Sequence, residues 1–173
     1  MAIILDIIKT TVPALIVFLT VYFIIKQYFD NQYRLQLAEL QRKNKEMTMP
    51  LRLGAYERMS VFLERLNLHK LVLRLRTESM TARDLNVAIL IAVEHEWDHN
   101  VSQQVFVSSE LWQILNMAKN EAMSISNRVA GHQPEGATGM DFSLALFEHL
   151  DKEPQTALMN GQNAIRREVQ VLF

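Results

Sequence analysis

The sequence predicts an all-α protein: an N-terminal transmembrane helix, a helical stalk and a cytoplasmic bundle of about five helices. Three observations predict it. Residues 10–25 (TTVPALIVFLTVYFII) carry no charge. Beyond residue 50, apolar side chains recur at spacings of three and four, the period of one helix face. No alternating strand pattern of useful length, internal repeat or low-complexity segment is visible. The domains implied are an anchor over 1–29, a juxtamembrane stalk over 30–47 and a helical domain over 48–173.

The anchor comes first. A bilayer core needs roughly 20 apolar residues in a helix. The uncharged run reaches that length by extending toward Ile3, with Asp6 and Lys9 in the outer interface, or toward Phe29. Tyr22, Tyr28 and Phe29 suit the opposite interface, where an aromatic body with a polar tip is favoured. Pro13 fits either the first turn or a kink. A cleaved signal peptide is disfavoured, because no basic stretch precedes the run and no small-x-small site follows it. Lys26, Arg34, Arg42, Lys43 and Lys45 lie on the C-terminal side, against Lys9 on the other. The positive flank stays inside, so the N-terminus is expected outside and the domain in the cytoplasm.

Charge bounds the partners. Formal net charge is −1, so nucleic acid is not expected as a partner. Residues 26–83 carry twelve Lys/Arg against six Asp/Glu, whereas 84–173 carry five against twelve. The basic part suits anionic headgroups, although ordinary solvation of helices accounts for it equally well. The absence of cysteine fits the cytoplasm without proving it.

The stalk reads as a helix. Phe29, Tyr33, Leu37 and Leu40 form one narrow stripe, supported by Asp30–Arg34 and Glu39–Lys43 at i,i+4. The stripe suits packing on the chain's own domain or dimerisation. Met49-Pro50 is expected to end this helix, since a residue before proline resists the helical region.

In the domain, 51–66 places Ala55, Met59, Phe62 and Leu66 on one face. A leucine-rich piece at 68–75 is a short helix or a turn. Thr81 is an N-cap with Asp84 three residues on, and it opens a helix over about 82–101. Its run of seven apolar residues, 87–93, predicts a centrally buried helix, with a buried strand as the second reading. Ser108 or Ser109 caps the next helix, about 109–130, with the stripe Leu111, Leu115, Ala118, Ala122, Ile125 and Val129. Gly131 stops it, 132–139 is a loop rich in turn-formers, and helices over 140–150 and about 155–172 finish the chain.

Residues 95–99 read His-Glu-Trp-Asp-His, a match to H-E-x-x-H. On a helix, His95 and His99 sit one turn apart and suit a zinc ion, with Glu96 as general base and Glu121 as third ligand. Against this, no strand-rich lobe is readable, and Glu121 lies three turns into the following helix, roughly 18 Å from its start. Five-residue patterns with three fixed positions also arise by chance. The preferred reading makes both histidines partly buried hydrogen-bonding groups beside the Ala88–Ala92 face, with no catalytic residue, metal or cofactor. Zinc hydrolysis is the minor alternative. Ser102, Ser108 and Ser109 lack a nucleophile-elbow context. Trp97 and Trp112 are expected in the core, and a partner surface is the second reading for them.

LRLGAYERMSVFLERL (51–66) followed by EHEWDHNVSQQVFVSSELW (94–112) resembles an uncharacterised family of small bacterial single-pass membrane proteins. Its members share an LRLxAYER…FLER segment and an HNxSQQ-aromatic-VS segment, and the likeness covers about 50–130. In that family an aromatic residue usually stands where this chain has His95, which implies that the zinc-like match is incidental. The resemblance supplies no activity, cofactor or catalytic residue. It implies a turn, or a partner surface, at His99, Asn100, Ser102, Gln103 and Gln104, with Trp112 beside it. The expected function is thus a non-enzymatic accessory or adaptor protein in a bacterial inner membrane. Its partners would be the lipid bilayer and another membrane-complex protein, or itself as a homo-oligomeric scaffold.

Overall fold

The computed structural model describes residues 2–172, with the side chains of 2–8 and 10 outside that description. The interfacial position expected of Asp6 therefore lies outside the described residues. Among the described residues there are six α-helices and one short 3₁₀ turn, and no strand beyond a single isolated bridge. The chain divides into two compact units, Met1–Met49 and Pro50–Phe173.

The first unit is one helix, the beginning of α1 (Ala2–Arg65). Every side chain from 11 to 48 is exposed. The apolar part is long enough to cross a membrane, with a mean hydropathy of 1.8 over an 18-residue window and 0% of it buried. The Thr20 hydroxyl donates to the Ile16 carbonyl at 2.8 Å, so it is satisfied within the helix. Pro13 lies in the interior of α1 and not in its first turn. Further on, Glu39–Lys43 pairs at 3.0 Å and Arg42–Glu46 at 3.4 Å, both i,i+4. The expected Asp30–Arg34 pair is not formed within 4.0 Å among the described residues.

Pro50 does not end the helix, because α1 continues to Arg65. A proline inside a helix costs about 3 kcal/mol through its missing N–H and its clash with the preceding turn. The turns that follow offset this by burying Ala55, Met59, Phe62 and Leu66. Each large apolar side chain fully buried is worth about 1.5–3 kcal/mol.

In the second unit, the end of α1 is joined by α2 (Leu68–Leu75), α3 (Ala82–Asn100), the 3₁₀ turn (101–105), α4 (Ser109–Gly131), α5 (Gly139–Lys152) and α6 (Thr156–Leu172). The core is built from Phe62, Leu66, Leu85, Ile89, Leu111, Leu115, Phe142 and Leu146 among others. The α4 stripe from Leu111 to Val129 is buried along its whole length. Its small residues Ala118 and Ala122 suit close neighbours, and α4 lies between α3 and α6. A Cβ on Gly161 of α6 would come within 2.9 Å of Leu63, so α6 approaches α1 as closely as a glycine allows.

Helix α3 is not buried all round, since Val87 is 45% and Ile91 64% exposed. Leu85, Ile89 and Val93 face the core, and the bundle supplies no element to cover the opposite side. A run of apolar residues leaves the choice of face to the neighbours, and here they cover only one.

The N-termini of α3 and α5 form a matched pair. Thr81 and Asp84 make a reciprocal capping box, and so do Thr138 and Asp141. The two are tied by an antiparallel bridge, Ala82 N–H to the Ala137 carbonyl at 2.9 Å and Gly139 N–H to the Met80 carbonyl at 2.7 Å. A Cβ at Gly139 would meet the Met80 carbonyl oxygen at 3.0 Å, so glycine permits the approach. The pairing reveals a short internal likeness, TARDLNVAI (81–89) and TGMDFSLAL (138–146), that sequence reading did not find.

Candidate functional site

Helix α3 carries the His-Glu-Trp-Asp-His stretch in its last turns. There His95 and His99 are exposed and not partly buried as expected, because they fall off the α3 face that carries Leu85, Ile89 and Val93. Both carboxylates of the hydrolase reading have other partners. Glu96 takes a two-pronged hydrogen bond from the Arg65 Nη1, at 2.9 and 3.0 Å. Glu121 accepts the Ala157 N–H at 3.0 Å and so caps the first turn of α6, where a negative charge is favoured. Among the described residues, no group of three or more His, Asp or Glu could hold a metal ion. The arrangement thus brings His95, His99, Glu96 and Glu121 into no ligand set.

The turn residues divide by burial. Asn100 is buried and donates from Nδ2 to the Glu96 carbonyl at 2.7 Å, closing the end of α3. Ser102 and Gln104 are exposed, and Gln103 reaches only the Ser102 hydroxyl, at 3.2 Å. Trp112 lies partly buried against the core, 4.5 Å from Trp97 between ring centres, and Trp97 in turn sits 5.7 Å from Phe62. The Lys119 ammonium lies 5.2 Å from the Trp97 ring centre and pairs with Glu94 at 3.1 Å.

A polar network then joins the two sequence segments that carry the family resemblance. Arg52 donates to the Phe106 carbonyl at 3.3 Å and to the Tyr56 hydroxyl at 2.9 Å. Tyr56 donates to Glu168 at 2.9 Å, and Ser108 donates to the other oxygen of the same carboxylate. Ser108 also accepts the Leu111 N–H at 3.0 Å as the N-cap of α4. Burial raises the Tyr56 pKa, the Glu168 hydrogen bond adds to that, and Arg52 opposes it. The network holds α1, the turn before α4 and α6 together, with its groups engaged on one another. Sequence reasoning named Ser108 as a cap. It missed Arg52, Tyr56 and Glu168, although Arg52 and Tyr56 stand inside the quoted LRLGAYER.

Beside this network lies a groove of about 360 Å³ between the second half of α1 and the end of α3. Gly54, Val61 and Phe62 give it apolar surface, and the Arg65–Glu96 pair and His99 give it polar edges. Its size is that of a small binding pocket, and Glu57, Arg58 and Asn100 add to a lining of mostly polar residues. Of the turn residues singled out from sequence, His99 and Asn100 line it.

An apolar helix followed by a small bundle with a groove defines, among the described residues, an all-helical protein. The chain belongs to a family of unknown function (DUF7935), whose pattern matches residues 2–172. The membership agrees with the resemblance in pointing to an uncharacterised family, and it supplies no activity. No curated protein and no solved structure matches the chain.

Proposed function

We propose that this protein is a non-enzymatic accessory or adaptor protein, anchored in the inner membrane of a bacterium by the first part of α1. Its helical domain lies in the cytoplasm and docks another protein of a membrane complex. The observation that carries this reading is the exposure of the apolar part of α1, with 0% of its most apolar window buried. In water each exposed Phe, Leu or Ile forgoes about 1.5–3 kcal/mol of burial. Lipid removes that cost, and a helix satisfies its own backbone there. The basic flank from Lys26 to Lys45 supports a cytoplasmic domain.

Tethering acts through effective concentration: a domain held at the membrane meets its partner at about millimolar local concentration without any new contact. The α1/α3 groove is the docking face in this reading, with Val61 as its exposed apolar contact, 46% accessible. Purification of the full chain in mild detergent tests it. The native protein is expected to retain a stoichiometric membrane-complex subunit, and Val61→Asp, which disturbs no core contact, is expected to lose it. Recovery of the native chain with no other protein would overturn the adaptor reading.

A further inference from the structure

Tyr33, Leu37, Leu40, Asn44 and Met47 follow one another at spacings of four, three, four and three, the d-a-d-a-d order of a heptad. Their side chains are unpartnered. Tyr33 is 65%, Leu37 42%, Leu40 58% and Met47 67% exposed, and Asn44 is exposed too. Arg34, Glu39, Arg42, Lys43, Lys45 and Glu46 all fall off this seam, and two pairs among them are already closed within the helix. Asp30 and Lys26, at the preceding a and d positions, end the seam on the membrane side.

We propose that residues 33–47 form a parallel, in-register, two-stranded coiled coil with the same segment of a second copy of this chain. Asn44 argues for a copy and not an unlike partner. Its amide both donates and accepts, so at an a position two copies of Asn44 satisfy one another, whereas an apolar partner would leave it buried and unpaired. An asparagine at a is also the residue that selects register at some cost in stability. Charge agrees. The register sets Phe29 beside Arg34 of the second copy, Gln36 beside Gln41 and Lys43 beside Thr48, with no like charges facing and one cation beside a ring. The seam also buries apolar side chains that the segment otherwise leaves exposed along α1. The parallel direction rests on the anchor reading above, under which every copy leaves the membrane with the same orientation.

Disulfide trapping tests it, since the chain has no cysteine of its own. Full-length variants Leu37→Cys and Leu40→Cys sit on the seam, and Ala38→Cys and Arg42→Cys sit off it. In membranes under mild oxidation, the seam variants should give several-fold more covalent dimer than the outer pair. Mixed Tyr33→Cys and Met47→Cys chains should give no cross-linked heterodimer. Equal yield on both faces, monomer at all four positions, or a Tyr33–Met47 product would overturn the proposal. Washing the same membranes with alkaline carbonate separates the two readings. A chain that washes off yet traps on the seam defeats only the anchor, and one that stays but fails to trap defeats only the coiled coil.

Discussion

Gln155 is separated by just over half the chain from the residues it serves. Its Oε1 accepts the Leu68 N–H at 3.0 Å and its Nε2 donates to the Leu66 carbonyl at 3.2 Å. These are the backbone groups exposed where α1 breaks and α2 begins, and both bonds are buried. A side chain of equal bulk without the amide leaves a buried donor and a buried acceptor unpaired, at about 1–3 kcal/mol for each. Gln155→Leu is therefore expected to lower unfolding stability by about 2–3 kcal/mol in detergent-solubilised chain. A loss below about 0.5 kcal/mol, the size of an ordinary surface change, would contradict the role. Nothing in the local sequence signals this residue. Neither do Glu121 and Glu168, whose partners Ala157 and Tyr56 are likewise distant in sequence and close only in the fold.

Local chemistry was far more legible at the level of helices. Thr81 and Ser108 marked helix starts because N-caps are set by a few adjacent residues, and Gly131 stands as the last residue of α4 ahead of its C-cap His132. The α4 stripe was legible because its spacing never falters. Pro50 and the 87–93 run were misread for one shared reason, that tertiary burial decides how far a helix runs and which side it hides. The paired capping boxes carry a pH prediction. The Thr81 hydroxyl, then the Thr81 N–H, holds the Asp84 carboxyl below its ordinary value, and Thr138 does the same for Asp141. A carboxylate with a lowered folded pKa stabilises above the ordinary aspartate range, and that contribution is lost as pH falls through the lowered value. Asp141→Asn should thus be less stable than the native chain at neutral pH, with the difference closing on acidification below pH about 4. Thermal melts of both chains across that window check it, and a gap that widens in acid would contradict the sign.

Across the whole molecule, the two units differ in burial. Residues 50–173 bury Phe62, Leu115 and Phe142 completely, whereas 11–48 bury nothing. That contrast was visible in the uncharged run itself, which is why the long apolar helix was legible and the groove was not. The groove needs α1 and α3 side by side, and no pattern in 51–66 or 94–100 records that pairing. The zinc-like match at His95 and His99 was legible too, yet Arg65 and Ala157 take up its two carboxylates. The central claim is that the first part of α1 spans a membrane with the helical domain on the cytoplasmic side. Protease accessibility of a C-terminal tag, compared between intact spheroplasts and inverted inner-membrane vesicles, tests this most directly. The tag should survive in spheroplasts and be cleaved in inverted vesicles. Cleavage in spheroplasts, or loss of the chain from washed membranes altogether, would contradict it.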